Sequence, residues 1–148
     1  MIRAENAEKF AIAGDVYALL ATAEQTGGAY ALIQASVPPG GGPPPHTQAD
    51  VELFFVLEGE VTFTVEDRDI VAGPGTHLRV DPGVLHAFKN HSDAHASMLI
   101  QTLPAGLDRY FREVGRPVNS MADHVPPTPD EIDLLKAVAP KYGIRFKA

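Results

Sequence analysis

The run PPGGGPPP at residues 38–45 admits neither a helix nor a central strand. Proline fixes φ and lacks an amide donor, and glycine removes conformational restraint. Gly59, Gly73-Pro74-Gly75 and Pro82-Gly83 repeat the interruption at short intervals, within a chain holding 13 Gly and 13 Pro. Segments this short accommodate strands better than helices. Residues 29–37, AYALIQASV, read as a strand with mixed alternation. Residues 51–57, VELFFVL, are apolar at nearly every position, as in a strand covered on both faces. In VTFTV at 61–65, Val61, Phe63 and Val65 share one face and Thr62 and Thr64 the other, and EDRD then turns a hairpin. Further short strands follow within 70–90, and ASMLIQTL at 96–103 is another. The pattern predicts an all-β sandwich or barrel.

Beyond Pro104 the period changes. Leu107, Tyr110, Phe111 and Val114 recur at helical spacing, and Gly115 stops that helix. Residues 116–127 read as a loop. Thr128 then caps a second helix with Pro129 at its first position and Asp130, Glu131 and Asp133 near its positive end. Ile132, Leu135, Val138 and Ala139 form its apolar side, and Pro140 ends it.

A chain of 148 residues is long enough for one core and short for two. Its net charge of -7 disfavours nucleic acid and anionic membrane surfaces as partners and favours a small-molecule ligand. With no cysteine, disulfides, thiolate metal sites and cysteine nucleophiles drop out. The N-terminus has no apolar segment of signal-peptide length, and no stretch reaches the roughly 18 apolar residues of a membrane span. The expected location is the cytoplasm. Gly40–Gly42 is not followed by a lysine or a helix, so it is no phosphate-binding loop.

His46, Gln48 and Glu52 stand at even spacing where the rigid loop enters an apolar strand, so an extended chain can turn all three to one side. Imidazole nitrogen with carboxylate or amide oxygen suits Fe, Mn, Co, Ni, Cu or Zn. His86, just after Pro82-Gly83 and at a strand start, is the natural fourth donor. Taken singly, His46 can cap a loop and His86 can bond backbone in a core. Glu52 constrains more, because an acid between Val51 and Leu53-Phe54-Phe55 is costly to bury without a cation or a donor.

These residues resemble the cupins. The first cupin motif, G-x5-H-x-H-x3-4-E-x6-G, is met by Gly40, His46, Glu52 and Gly59, with Gln48 in place of the second histidine. The second, G-x5-7-P-x-G-x2-H-x3-N, is met by Gly75, Gly83, His86 and Asn90, with Asp81 at the usual proline and Pro82 one place later. The 22 residues between Gly59 and Pro82 suit the variable region between the motifs. The resemblance runs over roughly residues 13–143 and is greatest to small single-domain bacterial cupins of quercetin 2,3-dioxygenase type. It implies one cupin domain over 1–148: a jelly-roll β-barrel over about 13–103, then two short helices within about 104–143.

The resemblance also implies a divalent transition metal in the barrel mouth, Fe or Mn before Ni, Co or Zn. His46, Glu52 and His86 are then ligands, and Gln48 is a ligand, a hydrogen-bonding support or a residue facing substrate. Glu52 doubles as the catalytic base. The expected activity is a dioxygenase acting on a small aromatic or enolic substrate, flavonol- or diketone-like. The rival readings are a non-catalytic small-molecule binder and an oxygen-independent isomerase or lyase. Phe54, Val56, Phe63, Phe88 and Met98 are the candidate pocket lining, with plain core filling as the alternative. His77, Arg79 and Asp81 should face outward; His91, His95 and His124 should lie in surface loops, and Asn90 should close a turn by bonding backbone. A homodimer is expected, with the strand near residue 55 and the N-terminal segment covering a partner's sheet.

Overall fold

The structure is a computed structural model that describes residues 2–148. Strands β1 (Lys9–Ile12) and β2 (Asp15–Ala21) form a hairpin, and the one-turn helix α1 (Ala23–Thr26) leads to β3 (Ala31–Val37). The Gly/Pro loop delivers the chain to β4 (His46–Gln48), followed by β5 (Val51–Glu58), β6 (Val61–Val65) and β7 (Arg68–Ala72). Then come β8 (His77–Val80), β9 (His86–Lys89) and β10 (Ala96–Leu103). Helix α2 (Leu107–Val114), β11 (Arg116–Val118), helix α3 (Pro129–Val138), a 3-10 turn (Ala139–Tyr142) and β12 (Ile144–Phe146) complete the chain.

Two sheets carry the architecture, in the orders β11-β1-β2-β3-β10-β5-β8 and β12-β4-β9-β6-β7. Every pairing among the described residues is antiparallel. This is the all-β jelly-roll architecture expected from the sequence. Alternation points Ile33 and Ala35 of β3, Phe54 and Val56 of β5, Phe63 of β6 and Met98 and Ile100 of β10 into the space between the sheets, where all are buried. Phe54 and Phe63 meet there at 4.9 Å between ring centroids, in a tilted contact.

The glycine run has a steric cause. At Gly42 φ is +128°, and a Cβ there would lie 1.9 Å from the Phe88 carbonyl oxygen. Only glycine lets the loop press against β9 and still turn into β4.

Two expectations need correction. Residues 116–118 are not loop: β11 pairs with β1, in the register Phe10↔Pro117, and gives the hairpin's open edge a partner. Pro117 is tolerated because β11 is itself an edge strand, where a missing amide leaves no ladder bond unmade. In the N-terminal segment, β1 and β2 extend the chain's own larger sheet. The chain itself does not cover both faces of β5. Its inner face is core, but Phe55 and Leu57 are each 40% exposed on the outer one.

Candidate metal centre

Strand β4 is three residues long, so His46 and Gln48 point inward while Thr47 points away. Register lays His46 opposite His86 of β9, and β5 contributes Glu52 from the facing sheet. All four side chains are buried. One donor atom each from His46, Glu52 and His86 lies within 4.8 Å of the others, an arrangement that can hold a metal ion.

Both imidazoles are oriented by backbone. His46 Nδ1 lies 2.9 Å from the Pro44 carbonyl and His86 Nδ1 2.9 Å from the Val84 carbonyl. A carbonyl can only accept, so each Nδ1 carries a proton and each Nε2 is left to face the cluster. His86 Nε2 is 2.7 Å from Glu52 Oε1. Two lone pairs at that distance repel, so without a cation a proton must sit between them. Burial opposes that proton, yet the hydrogen bond and charge of Glu52 outweigh it and hold His86 above its ordinary value. His46 is driven the other way, first by burial and then by His86.

Gln48 completes the ring. Its Nε2 is 3.2 Å from His46 Nε2 and donates to Glu52 Oε2 at 3.2 Å, while its Oε1 is buried without a partner. A half-turn of the amide exchanges the two ends, so the unmatched oxygen is the atom this residue can offer a cation. Asp50 stands just outside, pushed up to about 7 by burial and the Glu52 charge.

Above the cluster lies a cavity of about 50 Å³. Its walls come from the barrel, through Tyr17, Phe88 and Ile100, and from the later elements, through Leu107, Tyr110, Phe111, Leu135, Ile144 and Phe146. No lysine or arginine is among the described residues that line it. Of the five residues expected to line a pocket, Phe88 does so, whereas Phe54, Val56, Phe63 and Met98 do not and are packed in the core. Neighbouring rings, such as Phe63 against Phe88 at 6.1 Å, already occupy that space. The wall from α2 belongs to the apolar face visible in the sequence, but β12 is too short to show a period of its own.

His77, Arg79 and Asp81 are exposed, as expected, and so is His91. His95 and His124 lie in loops but meet over a buried Ser36, whose hydroxyl is 2.7 Å and 3.1 Å from their Nε2 atoms. Asn90 is fully buried, donates to the carbonyls of Val37 and Ala94, and accepts from the Ser92 amide, closing the expected turn.

Residues 34–101 match the Cupin domain family. The chain is 27% identical over 109 residues to quercetin 2,3-dioxygenase of Bacillus subtilis (strain 168), which covers 72% of this chain and 32% of that protein. It therefore spans about a third of that relative's length. Among solved structures, an RmlC-like cupin from Shewanella frigidimarina aligns with a TM-score of 0.65 at 19% identity, over 74% of this chain and 94% of that one. The polyketide cyclase RemF from Streptomyces resistomycificus aligns with a TM-score of 0.63 at 19% identity, over 70% and 78%. The family match begins in one sheet and runs through strands of both, so residues 34–101 are similar to the Cupin domain family, on a fold that these solved structures share.

Proposed function

We propose that this protein is a metal-dependent cupin enzyme, a dioxygenase acting on a small aromatic or enolic substrate of diketone or flavonol type. The observation that carries the reading is the buried cluster itself: two imidazole nitrogens oriented by backbone, a carboxylate and an unmatched amide oxygen beneath an apolar cavity. His46, Gln48, Glu52 and His86 would hold the ion, Fe or Mn by preference. Bound there, the metal supplies Lewis acidity toward a substrate oxygen.

The chain's own groups do the rest. Glu52 has two differently engaged oxygens, Oε1 toward His86 and Oε2 toward Gln48. One can stay at the centre while the other takes the proton of an enol or phenol. The apolar walls exclude water from that transfer. A cavity without cationic side chains suits a neutral or weakly acidic substrate and disfavours a permanent anion. The similarity to quercetin 2,3-dioxygenase supports the oxygenase reading over an oxygen-independent isomerase.

The test is metal content of tag-free protein purified without chelator, by elemental mass spectrometry. Wild type should hold near-stoichiometric transition metal, Glu52→Ala should lose it, and metal-loaded protein should consume oxygen with a 1,3-diketone or a flavonol. Metal absent from wild type but recovered in Gln48→His would leave a non-catalytic binding barrel instead. Metal with turnover but no oxygen uptake would select the isomerase or lyase. We also infer a homodimer through the outer face of β5 and β10.

A further inference from the structure

The cavity is too small for the substrate class it should receive. It measures about 50 Å³, and an apolar cavity of roughly 150 Å³ is what takes up a single benzene ring. Any aromatic or enolic ligand therefore requires one wall to move.

The walls are not equally fixed. Ile100 lies on β10, hydrogen-bonded between β3 and β5, and Tyr17 on β2, between β1 and β3. Helix α2 is tied at its start by Asp108, which is fully buried and accepts from the amides of Ala23 at 2.8 Å and Gly106 at 3.1 Å. By contrast β12 is a three-residue edge strand whose one neighbour among the described residues is β4. Beyond its ladder, backbone bonds from the Ala49 amide to Gly143 O at 3.0 Å and from the Lys147 amide to Pro45 O at 2.9 Å hold its ends. So short a ladder opens at far less free energy than a central strand.

Its position is what makes this consequential. Ile144 is in register with Gln48 and Phe146 with His46, so the strap lies along the strand that carries half of the cluster. Ile144 and Phe146 turn into the cavity, and the Phe146 ring is 5.8 Å from that of His46. Arg145 and Thr47, paired between them, face outward.

We propose that β12 is the gate of the pocket and that Phe146 is a specificity-determining residue, its ring setting the size of ligand that reaches His46 and Glu52. This deepens the metal-enzyme reading, but its test uses metal-free protein, so either can fail alone. The chain has no cysteine, so Thr47→Cys with Arg145→Cys introduces its only thiols, at directly opposed cross-strand positions where a disulfide can be closed. The probe is benzene, its uptake and exchange followed by NMR.

Wild type and the reduced double variant should take up benzene, and oxidation of the same sample should slow uptake by roughly tenfold or more. Phe146→Ala should exchange benzene faster than wild type. In hydrogen exchange, the Ala49 and Lys147 amides should be less protected than those in the centre of β10. Equal uptake by the reduced and oxidised forms would overturn the proposal. So would failure of wild type, reduced double variant and Phe146→Ala alike to take up benzene. A chain that retains no metal can still pass this test, because nothing in it depends on the ion.

Discussion

Asp15 sits beneath the glycine run with 1% of its surface exposed. The Tyr17 hydroxyl donates to its Oδ2 at 3.0 Å, its Oδ1 has no partner, and a Cβ on Gly41 would come within 2.4 Å of that oxygen. Burial pushes the carboxyl from 3.8 up to about 7, against the Tyr17 hydrogen bond and the neighbouring Gly42 backbone. The folded state thus binds this proton more tightly than the unfolded chain does. Its contribution to stability is complete below the unfolded value and is lost as pH rises through about 7. A shift of roughly three units bounds the effect at about 4 kcal/mol. Asp15→Asn should flatten the curve of Tm against pH between 4 and 8 and raise Tm at its upper end; parallel curves for the two proteins would refute the assignment. Nothing in the sequence distinguishes Asp15 from a surface acid, because its burial depends on a loop that starts more than twenty residues later. His46, Gln48, Glu52 and His86 were legible because strand alternation is local, and an acid inside VELFFVL has few inexpensive fates.

Helix α3 shows which parts of an element are written locally. Thr128 Oγ1 accepts from the Glu131 amide at 3.2 Å, Glu131 returns a bond to the Thr128 amide at 2.9 Å, and Pro129 fills the first helical position. All three signals lie within four residues and were readable. Glu131 does more than cap, for its carboxylate also pairs with Arg116 of β11 and links the helix start to the edge of the larger sheet. Thr128→Ala should cost about 1 kcal/mol and lower Tm by roughly 2–4 °C for a chain of this size. It should leave metal content unchanged. A scanning calorimetry trace identical to wild type would mean that the cap is not formed in solution. Strands β11 and β12 were not legible for the opposite reason. Each has three residues and no alternation long enough to measure, and each exists only because a distant edge, β1 or β4, lacks a neighbour. The gate and one wall of the cavity were therefore hidden along with β12.

At the scale of the molecule, the outer faces of the two sheets differ. On the smaller sheet, Thr62, Thr64 and Lys89 point outward, and the apolar residues beside them in the ladders are Ala87 and Val71. On the larger one, Leu53, Phe55 and Leu57 of β5 lie beside Leu99 of β10 and Leu32 of β3, with His77 and Arg79 along one border. Phe55 and Leu57 are each 40% exposed. Adjacent apolar side chains on an outer sheet face, bordered by charge, are the composition of an interface core and its rim. A two-fold axis through such a face makes it complementary to itself, the commonest symmetry of soluble homo-oligomers. Light scattering coupled to size exclusion should return twice the 15.8 kDa chain mass for wild type. Phe55→Lys should return the single-chain mass with little change in Tm measured on dilute protein, because the substitution falls on an outward-facing position rather than in the core. A monomeric wild type at micromolar concentration would remove the dimer. A dimer untouched by Phe55→Lys would move it to another face, with the exposed edge strand β7, where Val71 is 64% exposed, as the next position to charge.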